Sequence, residues 1–186
     1  MEQQGWVELA NSPVSITDGT ALASSASIAT ISPNATTNPP LTIAANRLFP
    51  GAMLRVIACG RFSTTGTPTL NLGVYYGGSG GTALATTGAI TTTSGVTNVP
   101  WWLEVIIQCR AIGTSGTLFT QGLVHGISGT TGVSVVPIPA SAPATVTVDT
   151  TAAKTIDITG TWGTSSASNT ITCHMLSVEG MNLNLA

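Results

Sequence analysis

Residues Thr69-Leu70-Asn71-Leu72-Gly73-Val74-Tyr75-Tyr76 decide how this chain is read. Leu70, Leu72, Val74 and Tyr76 fall on one side of an extended backbone, and Asn71, Gly73 and Tyr75 on the other. A period of two belongs to a pleated strand with one buried face. Trp101 to Ala111 repeat it, setting Leu103, Val105, Ile107 and Cys109 against Glu104, Gln108 and Arg110. Further runs at Leu54 to Phe62, Thr117 to His125, Thr145 to Val148, Thr155 to Trp162 and Thr170 to Val178 are separated by Gly, Pro, Ser or Asn clusters. Strands so punctuated, with almost no helical periodicity between them, predict an all-β, antiparallel β-sandwich. In Thr155 to Trp162, Ile156, Ile158, Gly160 and Trp162 are expected to pack, while Thr155, Asp157, Thr159 and Thr161 meet solvent. Threonine suits that outer face, being β-branched with a hydroxyl that stays hydrated.

Two regions break the pattern. Residues 1–40 hold short apolar stretches split by Pro13, Pro33 and Asn38-Pro39-Pro40, and read as an N-terminal arm or an edge-strand segment. Residues 41–186 then form the sandwich domain, and removing residues 1–32 is expected to leave it folded. Val124 to Ala144, rich in Gly and Pro, reads as a long loop.

Composition narrows the function. Charged residues are 6% of the chain, against roughly a quarter in an ordinary soluble domain. The cations are Arg47, Arg55, Arg61, Arg110 and Lys154, scattered within a net charge of -2. That balance argues against a nucleic-acid partner, which calls for a basic patch. No apolar run approaches the roughly 18 residues of a membrane-spanning helix, so no membrane partner is expected. The opening Met1-Glu2-Gln3-Gln4 is unlike a secretory signal, and the chain reads as made or assembled in the cytoplasm.

Catalytic signals are weak. Gly77-Gly78-Ser79-Gly80-Gly81 matches G-x-S-x-G in letters, but the following Thr82 to Gly88 reads as a strand and turn without the helix a nucleophile elbow needs. It is expected to be a hairpin loop. Three aspartates and four glutamates form no close pair. His125 and His174, the only histidines, each end or interrupt a strand, and the spacings of Cys59, Cys109 and Cys173 suit reduced, core-side cysteines and no metal. No catalytic residue, cofactor or metal is expected. Trp101 and Trp102, adjacent on one strand, must point to opposite faces, so one is core and the other free to anchor a contact.

Several segments resemble tailed-bacteriophage virion proteins of the capsid decoration (cement) or minor structural kind. They are Leu41 to Leu48, Gly51 to Cys59 and Gly60, Gly66 to Leu72, Trp102-Leu103-Glu104, Val148 to Thr151, and Trp162 with Ala167 to Thr172. The resemblance spans about residues 41 to 179 and implies a jelly-roll type sandwich on the outer capsid surface. It also implies a partner in the major capsid protein. The expected assembly is a homo-oligomer, trimer favoured over dimer, with Trp6, Val7 and Leu9 of the arm and Trp101 and Trp102 as capsid or subunit contacts. The alternative is a receptor- or glycan-binding module of a tail or head fibre, gripping a glycan through a loop such as Gly126 to Pro143. Absence of repeats or heptads favours cement over a fibre.

Overall fold

The computed structural model describes residues 8–9, 15–33, 42–127 and 134–182. Its strands are β1 (Glu8–Leu9), β2 (Leu22–Ala23), β3 (Ala29–Thr30), β4 (Thr42–Ile43), β5 (Met53–Ser63), β6 (Thr69–Tyr76) and β7 (Thr82–Thr86). They continue with β8 (Ile90–Thr91), β9 (Val99–Ala111), β10 (Gly116–His125), β11 (Val135–Ile138), β12 (Thr145–Val148), β13 (Lys154–Trp162) and β14 (Thr170–Gly180). Every pairing is antiparallel. No helix among the described residues is long and apolar enough to cross a membrane.

The strands form two sheets. An eight-stranded sheet runs β1-β14-β5-β9-β10-β11, with β2 added to β14 and β12 to β10; a six-stranded sheet runs β3-β13-β6-β7, with β4 added to β13 and β8 to β6. The jelly-roll character lies in a folded ribbon. β5 pairs with β14 in the first sheet, both chains cross over, and their continuations β6 and β13 pair in the second. β6–β7 and β9–β10 then extend each sheet as hairpins.

Alternation sets the core. Leu54, Val56 and Ala58 of β5, and Leu103, Val105 and Ile107 of β9, are buried against Leu70, Leu72 and Val74 of β6. Each such side chain contributes roughly 1.5–3 kcal/mol of burial free energy. Gly60 stands where no side chain fits: a Cβ there would lie 1.9 Å from the Thr172 carbonyl oxygen. Trp101 uses the space, its Nε1 donating to that same oxygen at 3.2 Å.

Three expectations need correction. The second face of β13 does not meet solvent, for Asp157 and Thr159 are buried. The segment around β3 lies beside it, and Ser32 Oγ accepts the Ile158 amide at 2.7 Å. Nor is Val124 to Ala144 all loop, because β11 pairs residue for residue with Gly122 to His125. Residues 1–32 do not lie wholly outside the sandwich. Leu22 and Ile31 are core residues, and the buried Trp162 donates its Nε1 hydrogen to the Leu22 carbonyl at 3.2 Å.

Threonine also has a second use beyond a hydrated face. Thr64, Thr87, Thr92 and Thr150 are buried at strand ends and turns. Thr92 Oγ1 donates to the Pro68 carbonyl at 2.7 Å, and Thr87 Oγ1 and Thr150 Oγ1 accept the amides of Leu72 and Gly113 at 3.0 and 2.9 Å. A hydroxyl both gives and takes a hydrogen bond, so it satisfies backbone groups where the ladder stops. This is how so uncharged a chain closes its turns.

Candidate functional site

The outward face of the eight-stranded sheet is built by register. His125 of β10 pairs with Trp102 of β9, Trp102 with Cys59 of β5, and Cys59 with Met175 of β14. On the other side His125 pairs with Val135 of β11. Directly paired residues share a face, so Val135, His125, Trp102, Cys59 and Met175 make one row across five strands. The next row runs Pro137, Leu123, Glu104, Ile57 and Ser177. Among the described residues eight large hydrophobics are exposed, and Trp102, Leu123, Val135 and Met175 stand in these two rows.

Trp101 and Trp102 separate as their adjacency requires, the first 2% exposed in the core and the second 40% exposed on this face. Leu9 lies in β1, where its backbone pairs with Glu179 at the sheet edge. Trp6 and Val7 lie outside the described residues.

Two concavities open on the face. One, about 550 Å³, is lined by Cys59, Val99, Pro100, Trp102, His125 and His174 among others. The other, about 510 Å³, is lined by Met53, Ile106, Gln108, Arg110, Phe119 and Leu123 among others. Both histidines therefore reach one hollow, which no spacing in the sequence announces. His125 ends β10, and His174 occupies the bulge where the pairing slips between Cys173 and Met175. His174 Nδ1 lies 2.7 Å from Asp18 Oδ1, which orients the ring.

Arg55 on the face is matched within the chain, whereas Arg61, on the same side of β5, stands exposed. Arg55 Nε lies 2.8 Å from Glu104 Oε1, and its Nη1 3.6 Å from Glu179 Oε2. The Glu104 hydrogen bond is the main cause that raises the Arg55 pKa above its usual value. The Arg110 guanidinium stacks 4.1 Å above the Phe119 ring centre, a cation–π contact.

The residue types Cys59, His174 and Asp18 echo a nucleophile, a base and its orienting acid. The chemistry does not follow. Burial pushes the Cys59 thiol up from its ordinary value, whereas a working thiolate needs a lowered one. Cys109 and Cys173 are buried, and burial raises both, Cys173 to about 12. No three His, Cys, Asp or Glu side chains among the described residues come together to hold a metal ion. Gly77 to Gly81 join β6 to β7, with the Gly81 amide donating to the Gly78 carbonyl at 2.9 Å. Ser79 sits in that hairpin with its amide on Thr30 Oγ1 at 3.2 Å.

No protein-family model matches the chain, and no curated protein matches it. Among solved structures, the infectious bursal disease virus VP2 subviral particle is similar at 14% identity with a TM-score of 0.26, over 95% of this chain and 31% of that one. The infectious bursal disease virus Gt strain structure gives 14% and 0.22, over 98% and 43%. A likeness at this level assigns neither a family nor a function.

Proposed function

We propose that this chain is a structural protein of a bacteriophage virion, a cement or decoration subunit. It binds the outer capsid surface as a homo-oligomer and stabilises the shell by bridging major capsid proteins. The observation that carries the reading is the outward face of the eight-stranded sheet, with exposed apolar side chains in register and Arg55, Glu104 and Glu179 paired with one another. Such a face holds on to a surface, and its thiol, Cys59, is not activated. The resemblance carried by residues 41 to 179 points the same way. Many copies on a lattice give avidity without strong single contacts. The arm, with Trp6, Val7 and Leu9, is assigned the role of reaching the shell or a neighbouring copy.

Shells prepared without the chain test this directly. Added back, the chain should co-sediment with them at saturable stoichiometry and raise the temperature at which they open. Binding should change little between about 50 mM and about 500 mM salt, because long-range charge attraction contributes little. Absence of co-sedimentation would overturn the reading. The glycan-binding alternative has one observation in its favour, the half-exposed Trp102 ring beside His125 and His174. Binding to a glycan array without binding to shells would select it.

A further inference from the structure

We propose that the hollow beside Arg110, on the outward face of the eight-stranded sheet, seats an acidic side chain flanked by apolar ones on the partner protein. The inference rests on the reading of that face as a contact surface, and names the chemistry of what it meets.

The hollow of about 510 Å³ forms where β9 and β10 lie side by side. Gln108 pairs with Phe119 and Ile106 with Gln121, so these four side chains share the outward face. Arg110 reaches the same hollow from the end of β9. Its guanidinium is held twice, stacked 4.1 Å above the Phe119 ring centre and donating from Nε to Gln108 Oε1 at 3.3 Å. An arginine oriented in this way loses little freedom on binding, and its terminal nitrogens form a fork that matches a carboxylate. No acid lines the hollow, and no carboxylate among the described residues pairs with Arg110. The one acid of β9, Glu104, is engaged by Arg55 at 2.8 Å. With its Oε1 taken by Arg110, Gln108 offers its amide nitrogen as a further donor. Donors gathered without an acid call for a negatively charged acceptor.

The rest of the lining decides what carries that charge. Met53, Ile106 and Leu123 are large and apolar, and they suit apolar neighbours of the acid. A sugar ring favours an open aromatic face, and the Phe119 ring, the one aromatic of the lining, already carries Arg110. A second copy of the chain brings no free acid among the described side chains. Asp18 is paired with His174, Glu104 and Glu179 with Arg55, Asp149 accepts from Thr151, and Asp157 is buried. The matching acid therefore belongs to a different protein, which under the cement reading is the shell. A pair closed at contact range is screened little, so it is compatible with a weak salt dependence.

Two measurements on the full chain test the proposal. In a titration followed by nuclear magnetic resonance, the end-blocked tripeptide leucyl-glutamyl-leucine should shift the signals of Gln108, Arg110 and Gln121. Its leucyl-glutaminyl-leucine counterpart should bind at least about fivefold more weakly. In co-sedimentation with shells prepared without the chain, Arg110→Gln should weaken binding at least about tenfold. Arg110→Lys should weaken it less, keeping the charge without the fork. Arg61→Gln, which changes an exposed cation opposite Pro100 at the other end of β9, should leave binding within about twofold of wild type. Arg110 is exposed, so its variants should melt as the wild type does. Equal binding of the two tripeptides would overturn the proposal, as would shell binding untouched by Arg110→Gln or weakened equally by Arg61→Gln. Tighter binding of glucuronate than of the glutamyl peptide would also overturn it, giving the hollow to an acidic sugar. Selective binding of the glutamyl peptide without any shell binding would support this proposal while removing the cement reading, and shell binding with no preference between the peptides would do the reverse, so the two fail separately.

Discussion

Trp101 and Trp102 are consecutive residues with opposite fates: Trp101 donates its indole hydrogen to Thr172 beneath the sheet, and Trp102 lies in register between His125 and Cys59 above it. Truncation should therefore give opposite phenotypes. Trp101→Ala should cost about 3–5 kcal/mol in urea denaturation, the usual penalty for emptying a large core site. Trp102→Ser should cost less than about 1 kcal/mol while weakening co-sedimentation with shells. Equal destabilisation by both would contradict the assignment of faces.

The N-terminal third supplies the second test. Removing residues 1–32 takes away Leu22 and Ile31 from the core, the carbonyl acceptor of Trp162, and the Ser32 hydroxyl that caps the Ile158 amide. The truncated chain should lose its cooperative melting transition or be recovered only as aggregate. A soluble product with wild-type melting would show that β2 and β3 contribute nothing to the fold.

Period-two alternation was legible where strands are long. In β9 the inward residues Leu103, Val105, Ile107 and Cys109 stand as their spacing requires, and β6 places Leu70, Leu72, Val74 and Tyr76 inward. Two-residue strands such as β2 and β3 are too short to show a period, and only tertiary pairing makes them strands. The row through Trp102 was not legible, because register between strands is a relation across the chain and leaves no local pattern. One signal was available. In Ile171, Cys173, Leu176 and Val178 the buried spacing runs two, three, two; the slip marks the bulge that brings His174 and Met175 beside Cys59.

Asp157 gives a pH-dependent prediction. Its carboxyl is buried and accepts hydrogen bonds from the Thr155 and Ser32 hydroxyls and the Gly78 amide. Burial nevertheless raises its pKa above the ordinary carboxylate value, the hydrogen bonds only opposing the rise. A folded pKa above the unfolded one means that this group's contribution is fully present below the unfolded value, near 4. It is lost as pH rises through the folded value. Asp157→Asn removes the buried charge and keeps an acceptor. The variant should match wild type in acid and exceed it by about 1 kcal/mol at neutral pH. Chemical denaturation at the two pH values checks this; a variant weaker at neutral pH than in acid, relative to wild type, would refute it.

Thr120 is 1% exposed on the inner side of β10, and its hydroxyl has no hydrogen-bond partner among the described residues. Valine has nearly the same shape without the unmet polar group. Thr120→Val should raise stability by about 1 kcal/mol, read as a higher urea midpoint with an unchanged slope. A drop of similar size would mean that the hydroxyl is bonded.

Cryo-electron microscopy of the intact virion tests the central claim most directly. The account predicts density for this chain at lattice-regular positions on the outer capsid surface, with the Trp102 row buried in a contact. Density confined to the tail or to a single vertex, with that row open to solvent, would contradict it.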